Sequence, residues 1–292
     1  MAVRSISVQV RSSMTPFLQY SERRELRERL WKAYTRCASN GNKFDNNANV
    51  RRIVELRTRR AQLLGFPSHA AYVLDDNMAK TPPSVRALLD RVWSRALDKV
   101  QSEAALLQQR IRDEGQDFQL EPWDWWYYTE KIRSEQYALD ANELAQYFKL
   151  ENVRDGAFEV AGRLYDIRFI PVSGLTFYHP DVQAYEVRGK DNVLIGVFAA
   201  DYFMRPSKRS GAWMNALVPQ QLKPVATFPL VFNVCNFVKS DPCLLGIDEV
   251  RTLFHEFGHA LHGLLSKVGY RTLSGTSVKR DFVELPDRKS TR

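Results

Sequence analysis

HEFGHALHGL, residues 255–264, places two histidines four positions apart, with a glutamate directly after the first. The apolar residues around it recur at helical spacing, which predicts an α-helix from Gly246 to Ser266 with Asp248 as its cap. Residues four apart lie one above the other on a helix, so the imidazoles of His255 and His259 can reach one metal ion. We therefore expect a metal site built on this helix.

The pattern H-E-x-x-H on a helix is typical of zinc peptidases, in which the glutamate acts as the general base towards water. Glu256 is the candidate base. The metzincin subclass requires glycine and histidine at the eighth and eleventh motif positions, where this chain has His262 and Leu265, so that subclass is excluded. Gly258 costs a helix about 1 kcal/mol relative to alanine. We therefore expect another group to approach the helix closely there.

A catalytic zinc site needs a third ligand, and a carboxylate downstream of the helix is the natural candidate. Asp281, Glu284 and Asp287 are available. The apolar neighbours of Glu284 predict a short buried helix, in which an unpaired carboxylate would be costly. Spacing favours Glu284 over Asp281 only modestly, so the residues by themselves leave the choice open.

The remaining histidines and cysteines have other expected roles. His262 lies one turn beyond the second histidine of the motif, and one helix can hardly present three turns of side chains to a tetrahedral ion. A packed or outer-sphere role is therefore favoured for His262. We expect His179 in a turn and His69 on a helix surface, and we interpret Cys235 and Cys243 as core thiols.

Elsewhere, helical periodicity dominates the first part of the chain, and short β-prone runs follow it. The fold class predicted is mainly α with a small β-sheet, organised as a helical part, 1–164, and a part with the sheet, the histidine helix and the third-ligand segment, 165–286. The aromatic run 122–128 could line a ligand groove, but packing between helices is favoured. Helices are predicted at 21–39, 49–64, 68–74, 81–111, 140–148, 151–164 and 246–266, strands at 167–171, 184–187, 193–199, 211–217 and 230–237, and a hairpin turn at 189–192.

Composition excludes several classes of protein. With 44% hydrophobic residues the chain is too apolar for intrinsic disorder. Three cysteines cannot form a disulfide framework and indicate a reducing compartment. No apolar run approaches the roughly 18 residues of a membrane helix, and no secretory signal is visible. We expect a cytoplasmic protein without a membrane partner, although the true N-terminus of the protein can lie upstream of this sequence.

The net charge of +8 raises the question of nucleic acid. Residues 1–60 hold 14 basic and 5 acidic side chains, whereas the other 232 residues hold 28 and 29. Glutamates alternate with the arginines of the first helices at spacings that allow pairing within a helix. A solvated helix face is therefore favoured over a phosphate-binding surface, and we expect no nucleic-acid partner.

Longer matches extend beyond the histidine motif. HEFGHALHGL at 255–264 and LSGTSVKRDFVELP at 273–286 resemble the thimet oligopeptidase family of zinc metallopeptidases. The bacterial peptidyl-dipeptidase (dipeptidyl carboxypeptidase) branch is nearest, and oligopeptidase A is next. The resemblance covers residues 5–286, because further matches occur at PFLQY 16–20, RELR 24–27, LLGF 63–66, PWD 122–124, YHPDV 178–182 and RPSKRSGAWM 205–214.

The resemblance implies a zincin-type (gluzincin) catalytic core within a two-lobed oligopeptidase fold, of which this chain would be an incomplete part. It implies one Zn²⁺ per chain and short peptides as substrates of an oligopeptidase or peptidyl-dipeptidase. We expect the protein to be a monomer. The implied zinc ligands are His255, His259 and Glu284, the implied catalytic base is Glu256, and the implied substrate-binding strand begins at Gly211, Ala212 and Trp213.

Two departures from the family pattern matter. Family members are usually several hundred residues longer, and the substrate-binding and oxyanion-stabilising residues expected after residue 286 have no counterpart here. Residues 287–292 resemble a truncation scar. We therefore expect an internal fragment, and the alternative function is a catalytically incompetent fragment that binds zinc or peptide.

Overall fold

The computed structural model describes residues 11–137 and 141–285. Contacts divide the chain into two compact units, Met1–Leu139 and Asp140–Arg292. This division differs from the expected one at residues 164 and 165, which followed secondary structure, because the last helix before the sheet belongs to the second unit. As a division into domains, the expected arrangement stays a prediction.

The regular elements in the described part of the first unit are all helices, joined by turns and loops. Two helices begin as the sequence predicts: the Ser68 hydroxyl accepts a hydrogen bond from the Ala71 amide (3.1 Å), and Thr81 caps the longest helix in the same way through Ser84 (3.3 Å). Gly65, at φ +80°, follows the third helix in the left-handed region. The helices are α1 (Arg11–Tyr20), α2 (Arg24–Thr35), α3 (Asn47–Leu63), α4 (His69–Asp75), α5 (Pro82–Asp113) and α6 (Trp125–Tyr137).

A buried ion pair joins α2 to the start of α6. The guanidinium of Arg27, 1% exposed, donates to the fully buried carboxylate of Asp124 at 2.8 Å, and Arg24 binds the same carboxylate at 2.9 Å. The expectation of a solvated arginine face is therefore wrong for these two residues. The expected packing of the aromatic run is confirmed, because Trp123 contacts Trp31 edge-on and Tyr128 is buried in an apolar cluster.

The apolar stripe along α5 divides into two halves. Leu107 and Ile111 are buried near its C-terminus, whereas Leu88 and Trp93 are 58% and 65% exposed. The periodicity predicts the helix correctly but not which part of its apolar face is covered.

The second unit is a mixed five-stranded sheet with helices packed on it. The elements are α7 (Ala141–Ala145), α8 (Leu150–Tyr165), β1 (Arg168–Pro171), β2 (Gln183–Arg188), β3 (Leu194–Phe203), β4 (Trp213–Val218), β5 (Leu230–Phe237), α9 (Ile247–Leu264) and a 3₁₀ turn (Arg271–Leu273). The strand order is β1-β2-β3-β5-β4, with β3 and β5 parallel and the other neighbours antiparallel. The predicted hairpin turn closes with a hydrogen bond from the Gly189 amide to the Val193 carbonyl (2.9 Å).

One core holds α8 and α9 against the sheet. Phe257 on α9 lies among the rings of Phe158, Phe169 and Phe198, with centroids 5.5 to 5.7 Å away. Such contacts fix the rotation of α9, so its opposite side is available for other chemistry. The expected fold class, mainly α with a small β-sheet, is confirmed for the described residues. So is the interpretation of the thiols at 235 and 243 as buried.

The start of α9 corrects one prediction. Its cap is Gly246, whose amide donates to the Glu249 carboxylate at 2.8 Å, whereas Asp248 lies inside the first turn.

No helix in the described ranges is long and apolar enough to cross a membrane.

Candidate metal centre

α9 presents His255 and His259 one turn apart on one face. Their rings lie 4.8 Å apart and nearly perpendicular, at 86°. His259 is the more deeply placed, with 11% of its side chain exposed against 37% for His255. The spacing of four residues therefore brings the two imidazoles together as the sequence predicts.

The chain returns to this face at Glu284. One carboxylate oxygen, Oε2, lies 3.5 Å from Nε2 of both histidines. Within the described residues, His255, His259 and Glu284 form the only group of three or more histidine, cysteine or acidic side chains that could hold one ion. Their ligand atoms all lie within 4.8 Å of one another. Asp281 is not part of the group, and Asp287 lies outside the described residues.

The surroundings of Glu284 differ from the expected buried helix. Residues 280–284 form turns, with hydrogen bonds from the Phe282 amide to the Lys279 carbonyl (2.9 Å) and from the Leu285 amide to the Phe282 carbonyl (2.8 Å). The side chain of Glu284 is 57% exposed. Its carboxylate therefore faces the histidines from the open side of the helix.

The donor set fits a zinc ion. Zinc–ligand distances of about 2.0–2.2 Å place neighbouring ligand atoms of a tetrahedron about 3.4 Å apart. The two distances of 3.5 Å from the Glu284 carboxylate match that spacing, and the two histidine ligand atoms lie within 4.8 Å of each other. Two imidazoles and one carboxylate are also the ligands of catalytic zinc sites, which keep a fourth position for water or substrate.

A cavity of about 290 Å³ opens onto these groups. Glu256, only 5% exposed, lines it beside the two histidines. The edge strand β4 lines it as well, through residues near its start. The complete lining is Ala212, Trp213, Met214, His255, Glu256, His259, Thr276, Val283 and Glu284.

The sequence profile of peptidase family M3 matches residues 17–288. The chain belongs to that family. It is 41% identical to dipeptidyl carboxypeptidase of Salmonella typhimurium over 281 residues, 95% of this chain. It is 37% identical to oligopeptidase A of Escherichia coli over 286 residues, 94% of this chain, and 31% identical to a thimet-like oligopeptidase of Dictyostelium discoideum over 268 residues, 86% of this chain.

The chain spans 40–42% of the length of these relatives. The profile match and the identities confirm the family resemblance that the dispersed motifs indicated, including its two bacterial branches, dipeptidyl carboxypeptidase and oligopeptidase A.

Two other histidines of the chain lie outside this group of three. His262 lines a separate cavity of about 350 Å³ with Leu265 and Lys267. Burial, and next the neighbouring charge of His259, lower the pKa of His262. The packed or outer-sphere role expected for His262 stays a prediction. His179 lies in a turn, as predicted, and its Nδ1 accepts from the Asp181 amide at 3.2 Å.

The three residues expected to bind substrate lie before and at the start of β4. Ala212 and Trp213 line the cavity with the histidines, whereas Gly211, at φ +95°, is the turn that leads into the strand. The side-chain amide of Asn236 donates to the carbonyls of Gly211 and Arg209, both at 2.7 Å. Asn236 on β5 therefore fixes the path of the chain into the edge strand.

Asp201 is a buried charged group of the M3 chain that sequence analysis did not single out. Its carboxylate, 1% exposed, accepts hydrogen bonds from Tyr178 (2.9 Å), from Arg205 (2.7 and 2.8 Å) and from Lys208 (3.0 Å). Burial opposes its ionisation, but these donors outweigh burial and lower the pKa of Asp201 to about 2. The available signal was the spacing of four and seven residues from Asp201 to Arg205 and Lys208, two basic residues of the motif at 205–214.

Proposed function

We propose that this chain forms the zinc centre and part of the cleft of a metallopeptidase that hydrolyses short peptides, as an oligopeptidase or a peptidyl-dipeptidase. The observation that carries the proposal is the meeting of two imidazoles and one carboxylate beside a buried glutamate in a single cavity. The corresponding fold is a zincin-type core within a two-lobed enzyme. Membership of a peptidase family supports it.

In this proposal His255, His259 and Glu284 hold one Zn²⁺ per chain. Bound there, zinc supplies a Lewis acid that lowers the pKa of water and polarises the scissile carbonyl. The two histidines are held in position by α9, whose opposite face is packed on the sheet. Glu284 approaches from a separate segment, so the site depends on the fold of the whole second unit.

Glu256 acts as the general base. It accepts a proton from the attacking water while the water oxygen bonds to the carbonyl carbon, and it returns a proton to the leaving nitrogen as the carbon–nitrogen bond breaks. Its position next to His255 in the motif places its carboxylate in the same cavity. Its low exposure of 5% keeps bulk water from that carboxylate.

The edge strand supports a role in holding substrate. β4 pairs with β5 on one side, and an edge strand can accept an extended peptide through its backbone on the other. Backbone pairing selects weakly for side chains, which suits a peptidase of short and varied peptides. Ala212 and Trp213 are the proposed first contacts with the substrate peptide, and the turn at Gly211 orients these two residues.

The Glu256→Gln variant tests the mechanism. Without the base we expect peptide hydrolysis to fall by at least about 100-fold, while one zinc per chain stays bound, because Glu256 is not a ligand. The control is Asp248→Asn, an exposed position on the same helix, which should hydrolyse at the rate of the unaltered chain. Activity that survives in Glu256→Gln would remove Glu256 from the mechanism.

A second candidate is a chain that binds zinc or peptide without useful catalysis. The 57% exposure of Glu284 favours it, because an exposed carboxylate leaves the site open on one side. One fluorogenic peptide, assayed with this chain and with E. coli dipeptidyl carboxypeptidase in parallel, separates the two. Turnover by the relative alone, with zinc bound to both, would support the binding role.

A further inference from the structure

Gly263 extends the histidine face of α9 by one more turn. It follows His259 by four residues, as His259 follows His255, and it is buried. A second glycine meets it there: a Cβ added to Gly275 would lie 2.9 Å from the Cα of Gly263. Backbone therefore packs directly on backbone, and no side chain fits between them.

Gly275 is also the residue whose backbone requires glycine. Its φ of +53° lies in the left-handed region, which other residues adopt at a cost. Its amide donates to the Ser266 hydroxyl at 3.1 Å, which links it to the residues just after α9. Two interactions, one steric and one polar, hold this point of the chain.

The segment after α9 has a further attachment. The side-chain amide of Gln220, 6% exposed, donates to the Val268 carbonyl (3.2 Å) and accepts from the Val268 amide (2.9 Å). The chain from α9 to Glu284 is thus fixed first at Val268 and then at Gly275. Gly275 is the attachment nearer to the carboxylate, nine residues before it.

We propose that Gly275 is a positioning residue for the third metal ligand. Gly275 packs on Gly263, one turn beyond His259. This contact fixes the position along α9 from which the following segment turns back towards the two histidines. Glu284 then meets both imidazoles. The inference rests on the proposed zinc site and assigns to Gly275 a role in metal affinity that acts through Glu284.

The test is the zinc affinity of the full chain, measured by competition with a chromophoric chelator. Gly275→Ala should weaken zinc binding about 10- to 100-fold, the range typical of residues that orient a ligand. Two glycines serve as controls, because nothing lies within 4 Å of a Cβ added to either. Gly269→Ala changes the same segment, and Gly174→Ala repeats the positive φ, at +84°. Both should bind within about threefold of the unaltered chain.

A double-mutant cycle distinguishes positioning from general destabilisation. In a Glu284→Gln background, Gly275→Ala should change zinc affinity by less than about threefold, because the ligand that it positions is already lost. An equal loss in both backgrounds would overturn the inference. Zinc binding that is absent from the unaltered chain, or unchanged by Glu284→Gln, would instead refute the proposed zinc site.

Ser266→Ala provides a milder variant if Gly275→Ala does not fold. It removes the acceptor of the Gly275 amide and leaves both glycines in place. We expect this change to lower zinc affinity at least about threefold when Glu284 is present, and to leave it unchanged in the Glu284→Gln background. Equal affinity of Ser266→Ala and the unaltered chain would overturn the inference.

Discussion

At the scale of single residues, the carboxylate of Asp201 stays charged in a buried position because three donors surround it. A pKa lowered from 3.8 to about 2 means that the folded state binds its proton more weakly than the unfolded state does. The resulting stabilisation, about 2 kcal/mol, is complete above roughly pH 4. It is lost as the pH falls through the folded pKa of about 2.

The Asp201→Asn variant should therefore lose this pH dependence. We expect the difference in unfolding free energy between the unaltered chain and the variant to shrink by about 2 kcal/mol as the pH falls from 5 to 2. Urea unfolding at several pH values measures it. Asp248→Asn, at a position 90% exposed, is the control and should follow the unaltered chain throughout. A constant difference for Asp201→Asn would show that the buried pairs do not lower its pKa.

Glu284 shows how far one residue could be predicted. Spacing did not decide which of three carboxylates, Asp281, Glu284 or Asp287, is the third ligand, and only the family resemblance selected Glu284. The structure brings it to 3.5 Å from both histidines, yet its environment is an exposed turn and not a buried helix. Apolar neighbours at 282, 283 and 285 indicate local burial only if the segment is regular, and the pattern could not establish that. Its role as a ligand stays a prediction.

At the scale of elements, α5 is one helix with two environments. Ile111 is fully buried, whereas Leu88 is 58% exposed. We expect Ile111→Ala to lower the unfolding free energy by about 2–5 kcal/mol, because it leaves a cavity. Leu88→Ala, the matched change on the same helix, should cost less than about 1 kcal/mol. Urea unfolding followed by circular dichroism measures both, and equal costs would contradict the exposure of the first half.

Most elements could be predicted because their signals are local. Thr81 before two prolines predicts the start of α5, and the run of apolar residues at 230–237 predicts β5 with its observed bounds. α1 was not predicted, and it contains Pro16, which weakens a helical pattern. The parallel pairing of β3 with β5 was not predicted either, because alternation along a strand carries no information about its partner's direction.

At the scale of the whole molecule, long-range pairing limits what a sequence can reveal. Arg27 and Asp124 lie 97 positions apart and form a buried ion pair in the first unit, so counting charges assigned the arginine to the surface. The family was predicted because its motifs are dispersed over nearly the whole chain, and the match to residues 17–288 confirms it. Dispersed motifs reveal membership of a family, whereas charge totals reveal little about contacts.

The zinc content of the purified chain tests the central claim most directly. After equilibration with zinc and dialysis, elemental analysis should find one zinc per chain, because one group of three ligands is available in the described residues. His255→Ala, His259→Ala and Glu284→Gln should each retain far less than one, whereas Asp248→Asn should retain one. A chain that binds no zinc, or ligand variants that still hold one equivalent, would contradict the account.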